Sequence, residues 1–186
     1  MGTYFAAAIG AQCKPSSIGL DDVILGNCAW SAKTVKGNLS QKRVRLISGR
    51  NSPAYSFGES IINESADPKQ IGHEVIAIWN TRVEEIRSRF PHMRTVVLNK
   101  SEDLLTLRIF EVDTKRYDAE TYVWSWNKRG NLEGHKNGIH CFTWQPHGSQ
   151  FTIIEEIPDD AINFKLKSPP HLDKAEVLHN VGFDRT

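Results

Sequence analysis

The segment from Asp67 to Phe90 constrains the fold most, because it predicts one long amphipathic helix in the middle of the chain. Asp67 is a favourable N-cap, Pro68 suits the first helical position, and Pro91 marks the end. The apolar residues recur at three- and four-residue steps, which is the spacing of a helix with one buried face. That face contains Ile71, Val75, Ile78, Trp79, Val83, Ile86 and Phe90.

Short strand-like segments flank this helix on both sides. An Ala-rich helix and a hairpin with a turn at Gly26 and Asn27 precede it, and further strands follow it. This order predicts an α/β fold with a mixed central sheet flanked by helices and a β-rich C-terminal part. The remaining expected elements are helices at Thr3–Gln12 and Asp173–Val181, strands at Val23–Leu25, Cys28–Val35, Arg43–Ile47, Thr95–Leu98, Leu104–Val112 and Tyr122–Trp126, and a hairpin around Pro146-His147-Gly148.

The size and composition fit one domain over residues 1–186. A chain of 186 residues with 39% hydrophobic residues can bury a full core. We expect a core motif region at about residues 3–100 and a β-rich extension at about 101–186. No apolar run is long enough for a membrane span, and the N-terminal stretch is a poor signal peptide. Three cysteines without a CxxC pair are typical of a reducing compartment, so we expect a cytoplasmic protein.

The cations are distributed unevenly, although the net charge is only +1. From Val23 to Gly58 the chain contains no Asp or Glu. An unopposed basic block suits contact with a phosphate backbone, because each neutralised phosphate releases counterions. A solvated basic face is the alternative interpretation. The cations of this block are Lys33, Lys36, Lys42, Arg43, Arg45 and Arg50.

The predicted hairpin places an acid beside a lysine. Asp22 opens its first strand and Lys33 lies in its second, so the turn between them brings the two side by side. Ser31 and Lys33 are two residues apart and therefore point to the same face. Phosphodiester hydrolysis requires such groups: carboxylates that hold Mg²⁺, and an ammonium that stabilises developing charge. The neighbouring Asp21 is an alternative to Asp22.

This pattern resembles the PD-(D/E)xK nucleases, the fold of most type II restriction endonucleases. The resemblance covers about residues 3–100 and implies a core of helix, three strands, helix and strand. It also implies a Mg²⁺ ion held by Asp22, the Ala32 carbonyl and a second carboxylate, with Lys33 near the attacking water. The family usually has an acid two residues before the lysine, where this chain has Ser31. In a subgroup with Ser or Cys there, a later helix supplies the missing carboxylate.

Glu74 is the expected second carboxylate, because it borders the apolar face of the long helix. Glu84 of the same helix, and Glu59 and Glu64 before it, are alternatives. An engineered substitution at position 31 would also explain the missing acid. The expected catalytic set is therefore Asp22, Ser31, Lys33 and Glu74, and the expected metal ligands are Asp22, Ala32 and Glu74.

A second stretch contains a similar pattern of acids and lysine, with Asp103, Asp113 and Lys115. Both acids are present there, but Lys115 follows the apolar run and no helix and strand of the required kind come after it. We expect this stretch to be a solvated strand end. His135, His140 and His147 have only Cys141 as a nearby fourth ligand, and we expect polar loop histidines rather than a zinc site.

Two turns carry side chains that can contact base edges. One is Arg50-Asn51-Ser52, next to the basic strand, and the other is the hairpin turn near His147, for which simple aromatic packing is an equal alternative. The expected DNA-binding residues are Lys36, Lys42, Arg43, Arg45, Arg50, Asn51, Ser52, Gln145, His147 and Gln150.

These features together predict a Mg²⁺-dependent endonuclease that acts on double-stranded DNA. The specific expectation is a type II restriction endonuclease that acts as a homodimer, because two identical sites cut the two strands of a palindrome. The alternative is a non-catalytic nucleic-acid-binding protein with the same fold.

Overall fold

Two β-sheets and one long helix make up most of the structure. The computed structural model describes residues 1–14, 20–57, 65–168 and 173–180. Its mixed helices and sheets confirm the expected α/β class with a β-rich C-terminal part. The helices are α1 (Gly2–Ile9), α2 (Pro53–Phe57), α3 (Pro68–Arg89) and α4 (Lys174–Asn180), with a 3₁₀ turn at Ala119–Thr121. The strands are β1 (Gln12–Cys13), β2 (Val23–Leu25), β3 (Cys28–Lys36), β4 (Arg43–Arg50), β5 (His92–Lys100), β6 (Thr106–Asp113), β7 (Val123–Trp126), β8 (Leu132–Lys136), β9 (Ile139–Gln145), β10 (Gln150–Glu156) and β11 (Ile162–Lys165).

The first sheet has the strand order β1-β2-β3-β5-β6-β11. Its neighbours are antiparallel except β3 and β5, which run parallel from the pair Cys28–His92 to the pair Lys36–Lys100. A parallel pair requires a long crossover, and here the crossover contains β4, α2 and α3. The first sheet therefore contains a three-strand antiparallel meander followed, through the helix α3, by a parallel strand.

The second sheet has the order β4-β10-β9-β8-β7 and is antiparallel throughout. The expected strand at Arg43–Ile47 is present as β4, but it belongs to this sheet rather than to the central meander. Residues 43–50 pair with β10 along their whole length. Alternating burial on β4 predicts a strand but cannot identify its partner, and the third meander strand is instead the short β1.

Helix α3 forms as expected. The Asp67 carboxylate accepts a hydrogen bond from the Lys69 N–H at 3.1 Å, and Pro68 occupies the first turn. A Cβ at Gly72 would overlap the ring of Trp124, so this glycine lets the helix pack closely against β7. No helix within the described ranges is both long and apolar enough to cross a membrane. The buried face consists of Ile71, Gly72, Val75, Ile76, Trp79, Val83 and Ile86, while Ile78 and Phe90 are only half-buried.

Two clusters form the core. In the larger one α3 packs between the sheets, against Met93 of β5 on one side and Trp144 and Phe151 of the second sheet on the other. In the smaller one the sheets meet directly, with Leu46 of β4 against Val97 of β5. The helix therefore separates the two sheets at one end, and polar side chains fill the space beside it.

The N-terminal helix is shorter than expected. It spans Gly2–Ile9 rather than Thr3–Gln12, and Met1 occupies the N-cap position without a side-chain hydrogen bond. Gly10 ends the helix in the left-handed conformation with φ 68°, which glycine adopts without steric cost. Gln12 and Cys13 are thereby released to form β1.

Candidate active site

The β2–β3 hairpin forms as the sequence predicts. Gly26, with φ 57°, makes the turn, and Leu25 pairs with Cys28 and Val23 with Trp30. Only three residue pairs close the hairpin, and β3 then continues beyond the start of β2. The residue before β2 is Asp22, so its side chain lies beside the continuation of β3, on the edge opposite β5.

Asp22 is bound to that continuation. Its Oδ2 atom accepts hydrogen bonds from the Ala32 N–H at 2.8 Å and from the Ser31 hydroxyl at 3.3 Å. The N–H and C=O of one strand residue point to the same side of the strand. The Ala32 carbonyl therefore lies at the same strand edge as the Asp22 carboxylate, which is the arrangement of two oxygen ligands that the sequence predicts.

Asp21 has a different environment. It is buried and pairs with the Lys14 ammonium at 2.5 Å and with the Arg89 guanidinium at 3.6 Å. These contacts tie the start of the hairpin to β1 and to the end of α3. Of the two adjacent acids, Asp22 is therefore the one that faces Ser31 and Lys33.

Lys33 points to the same side of β3 as Ser31, towards the space between the two sheets. Burial lowers the pKa of its ammonium; the Asp22 carboxylate opposes this effect and the Arg82 guanidinium adds to it. Within the described part of the chain, Lys33 Nζ makes no hydrogen bond and no ion pair within 4 Å. A desolvated cation with a lowered pKa beside a carboxylate is typical of functional sites.

Arg82 is a site residue that the sequence reasoning missed. This side chain projects from α3 and donates to the Ser48 carbonyl at 3.2 Å and to Asn51 Oδ1 at 2.9 Å. A bulge between β4 and β10 leaves Ser48 without a register partner. Burial lowers the pKa of Arg82 as well. Its position next to the apolar residue Val83 was the available sequence signal for a cation on the inner side of the helix.

A cavity of about 20 Å³ lies against Ser31 and Lys33, which is room for roughly one water molecule. Two carboxylates lie on its wall. Asp113 is exposed, whereas Glu155 is half-buried and accepts a hydrogen bond from the Tyr117 hydroxyl at 2.8 Å. Burial and this carboxylate together raise the pKa of Tyr117, which keeps the phenol protonated. The wall is otherwise rich in hydroxyl groups, from Ser31, Ser48, Thr95 and Thr114.

Glu74 lies on α3, but no contact between described residues connects it with Asp22 or Lys33. One of its oxygens accepts from Gln70 Nε2 at 3.1 Å, and the other is buried without a hydrogen-bond partner among the described residues. The second carboxylate therefore stays a prediction. The alternatives Glu59 and Glu64 lie outside the described residues.

The structure brings together polar residues from the two predicted DNA-binding turns. Gln150 of β10 pairs in register with Arg50 of β4 on one side and with Gln145 of β9 on the other. The three form a row across the end of the second sheet, and His147 is exposed on the adjoining turn. This row lies two residues from Ser48, which also borders the Lys33 cavity.

The other predicted DNA-binding residues lie apart from this row. Lys42 and Arg45 are exposed near the opposite end of β4 and on its outer face, and Arg45 donates to Thr143 Oγ1 at 2.9 Å. Arg43 is half-buried and donates to the Ile154 carbonyl at 3.3 Å. Lys36 at the end of β3 forms an exposed ion pair with Glu102 at 3.1 Å.

The position of Asn51 does not fit its predicted role in DNA binding. Its side chain is fully buried, donates to the Val75 carbonyl at 3.2 Å and accepts from Arg82, while its carbonyl accepts from Trp144 Nε1. This residue joins β4 to α3 and does not present its amide to a ligand. The neighbouring Ser52 is half-buried. Turn-forming residues such as Asn are common at both binding sites and structural junctions, so composition could not separate the two roles.

The second acid–lysine stretch is a strand end, as expected. Asp103 accepts from the Ser101 hydroxyl and the Leu105 N–H within a turn. Asp113, the last residue of β6, pairs with Arg87 at 2.9 Å. Lys115 is exposed beyond the strand. Both acids thus have partners outside this pattern, and neither pairs with Lys115.

The residues at the hairpin fit a hard divalent cation. Mg²⁺ prefers oxygen ligands and keeps several waters, so one carboxylate and one backbone carbonyl can bind it while leaving room for a phosphate oxygen. Asp22 and the Ala32 carbonyl provide this minimal set. Comparison with protein-family models, with curated proteins and with solved structures finds no match for this chain.

Proposed function

We propose that this chain is a Mg²⁺-dependent endonuclease that hydrolyses phosphodiester bonds of double-stranded DNA at Asp22 and Lys33. One observation carries the proposal: a desolvated lysine, with a lowered pKa, faces a carboxylate across a tight hairpin. Burying a cation costs free energy, so a desolvated lysine beside a carboxylate is a candidate for a functional group. The specific class that we propose is a type II restriction endonuclease, in a PD-(D/E)xK variant with Ser at the second acid position.

The topology around the site supports this proposal. Helix α1, the meander β1-β2-β3, helix α3 and the parallel strand β5 follow one another in the order that the resemblance implies. Asp22 stands at the start of the second meander strand and Lys33 within the third. This strand arrangement around Asp22 and Lys33 supports the proposed site, with β4 and α2 inserted between β3 and α3.

The proposed roles follow from the contacts. A bound Mg²⁺ would supply charge neutralisation and activation of water. Asp22 and the Ala32 carbonyl would hold it, and the Ser31 hydroxyl orients the Asp22 carboxylate through its 3.3 Å hydrogen bond. Lys33 places an ammonium where negative charge develops on the phosphate, in surroundings that strengthen the interaction. Its lowered pKa also makes Lys33 a stronger acid than an exposed lysine.

DNA would lie along the end of the second sheet. The row of Arg50, Gln150 and Gln145 supplies one cation and two amides, which suit phosphate and base-edge contact respectively. Arg82 lies between this row and Lys33 and fixes their relative position through its bonds to Ser48 and Asn51.

Two further properties belong to the proposal. A homodimer would place two equivalent sites on the two strands of a palindromic sequence. A cytoplasmic location is supported by the three free thiols of Cys13, Cys28 and Cys141, which a reducing compartment preserves.

One observation favours a second candidate, a DNA-binding protein without catalysis. Position 31 is Ser, and the described contacts place no second carboxylate beside Asp22. A single charged protein ligand binds Mg²⁺ weakly, so a nuclease fold that has lost its acid would bind DNA and leave it intact.

Supercoiled plasmid separates the two candidates. Incubation of the chain with Mg²⁺ should nick or linearise the plasmid, and EDTA should prevent it. Fluorescence anisotropy with a duplex in EDTA measures binding separately. Binding without cleavage at any Mg²⁺ concentration up to tens of millimolar supports the second candidate, and absence of both activities contradicts both.

A further inference from the structure

A second group of potential metal ligands lies far along the chain from the hairpin, on strands β8 and β9. Glu133 and His135 are two residues apart on β8, on the face opposite the buried Leu132 and Gly134. His140 approaches from β9, across a turn made by Asn137 and Gly138. All three side chains are half-buried on the outer face of the second sheet.

A β-bulge brings the two histidines together. The register of β8 and β9 runs Glu133–Thr143 and Gly134–Phe142, and then shifts so that His135 pairs with His140. Cys141 is the extra residue, and in a regular register without the bulge His135 would pair with Cys141. The imidazole centroids are 4.9 Å apart with an interplanar angle of 22°. Bulges commonly redirect a side chain next to functional sites.

The distances suit one small ion. A ligand atom from each of Glu133, His135 and His140 lies within 4.8 Å of the other two, and Glu133 Oε2 is 3.8 Å from His135 Nε2. Donor atoms around a tetrahedral Zn²⁺ with bonds of about 2.1 Å are about 3.4 Å apart. If each donor atom moved by less than about 1 Å, all three could bind one Zn²⁺ ion. The open outer face leaves a fourth coordination position for water.

Two hydrogen bonds orient the potential ligands. Asn127 Nδ2 donates to Glu133 Oε1 at 2.7 Å, which leaves Oε2 directed at His135. His140 Nε2 lies 2.7 Å from the Phe142 carbonyl, which can only accept, so Nε2 carries the proton. The neutral ring then presents the lone pair of Nδ1. Such outer contacts to carbonyl and amide groups are characteristic of metal-binding side chains.

The charges and the donor types identify the ion. Arg45, which donates to Thr143, is a cation near the three potential ligands. Two imidazoles and one carboxylate favour late first-row ions over Mg²⁺. We propose that Glu133, His135 and His140 bind one Zn²⁺ ion, separate from the Mg²⁺ proposed at Asp22, which links β8 to β9 across the bulge. This site stands independently of the nuclease proposal.

Titration of the full chain with Zn²⁺ by calorimetry tests the site, with Mg²⁺ in parallel. We expect one Zn²⁺ per chain, no binding of Mg²⁺ at this site, and a Zn²⁺-dependent rise in Tm. His140→Gln and His135→Gln should each weaken Zn²⁺ binding at least 10-fold and abolish the Tm rise. His92→Gln, an exposed histidine elsewhere, and Cys141→Ser should bind Zn²⁺ as the parent does.

Far-UV circular dichroism of the metal-free variants checks that they fold, which is expected because the substituted side chains lie on the outer face. Glu133→Gln keeps the shape and the Asn127 contact while removing the charge, and should also weaken binding. Parental Zn²⁺ affinity in both histidine variants would overturn the site, as would the absence of Zn²⁺ binding by the parent at tens of micromolar. Loss of binding in Cys141→Ser would assign the ion to the thiols instead.

Discussion

Two stretches of this chain combine acids with a lysine at similar spacing, and the structure gives them opposite surroundings. Lys33 lies on the inner face of β3, where burial lowers its pKa. Lys115 lies beyond the end of β6, exposed, with its ammonium 5.6 Å from the ring centroid of Tyr117. The sequence pattern alone would favour the second stretch, which has both acids. Burial distinguishes them, because only a desolvated cation interacts strongly with a phosphate.

The acids differ in the same way. Asp22 accepts from the backbone and hydroxyl of its own hairpin, at the edge of a strand that continues past its partner. Asp113 also borders the Lys33 cavity, but it is exposed and already paired with Arg87. An acid neutralised by arginine is a poor ligand for a second cation. The position of Asp22 at the edge of β3, rather than the spacing of acid and lysine, therefore distinguishes the candidate site.

The largest expected effect separates the two lysines. Lys33→Met should reduce Mg²⁺-dependent plasmid cleavage at least about 100-fold, because the half-buried ammonium beside Asp22 is lost. Lys115→Met, at the exposed strand end, should cleave within about twofold of the parent. Initial rates of plasmid nicking measure both. Equal rates for the two variants would show that burial does not distinguish these stretches.

A smaller effect concerns the second carboxylate. We expect Glu74→Gln to raise the Mg²⁺ concentration for half-maximal cleavage roughly 10-fold, because a metal site with two carboxylates loses one charge. Glu84→Gln is the matched control on the same helix, since Glu84 is exposed and paired with Arg116 at 3.0 Å. An unchanged Mg²⁺ requirement in Glu74→Gln would remove this residue from the site and leave Asp22 as its one charged ligand among the described residues.

DNA should contact the Lys33 side of the molecule and not the Lys115 side. Arg50→Ala should weaken duplex binding a few-fold and lower the slope of log affinity against log salt by about 1, as expected for one lost phosphate contact. Arg116→Ala, next to Lys115, should leave the slope unchanged. Anisotropy titrations at several salt concentrations give the slopes. A decrease confined to Arg116→Ala would place the DNA on the other side.

The smallest effect is on stability. The folded-state pKa of Lys33 lies below its ordinary value of 10.5, so between the two values the unfolded chain binds more protons and stability rises with pH. At a pH below the folded-state pKa, Lys33 is charged in the folded chain, and its desolvation lowers the free energy of unfolding in full. Lys33→Met should therefore be more stable than the parent by about 1 kcal/mol at pH 7. The gain should shrink towards pH 10, and Lys115→Met should show none. A constant gain across this range would argue against charge burial as its cause.

The sequence predicted those parts of the fold that depend on local patterns. The helix capped by Asp67 and the hairpin with Gly26 at its turn formed where periodicity and turn chemistry placed them. The strand predicted at Arg43–Ile47 formed, but its pairing with β10 could not be predicted, because alternation marks a strand and not its partner. β8 was missed because its Glu, Gly, His and Lys residues have low strand propensity, and only pairing with β7 and β9 stabilises it.

In the candidate site, too, local patterns could be predicted and long-range contacts could not. Asp22, Ser31 and Lys33 are brought together by a hairpin with a two-residue turn, which local sequence determines. Arg82 comes from a distant helix, and the role of Asn51 as a buried junction depends on Val75, Arg82 and Trp144 together. Such long-range contacts leave no periodic signal. For the same reason, helix position alone could not establish whether Glu74 reaches Asp22.

Asp22, and not the exposed Asp113, should support catalysis. The most direct measurement compares plasmid cleavage by Asp22→Asn and Asp113→Asn at saturating Mg²⁺, with duplex binding by anisotropy in EDTA as the check on folding. Both variants should bind duplex as the parent does. Asp113→Asn should cleave at the parental rate, whereas Asp22→Asn should not cleave. Parental cleavage by Asp22→Asn would contradict this prediction.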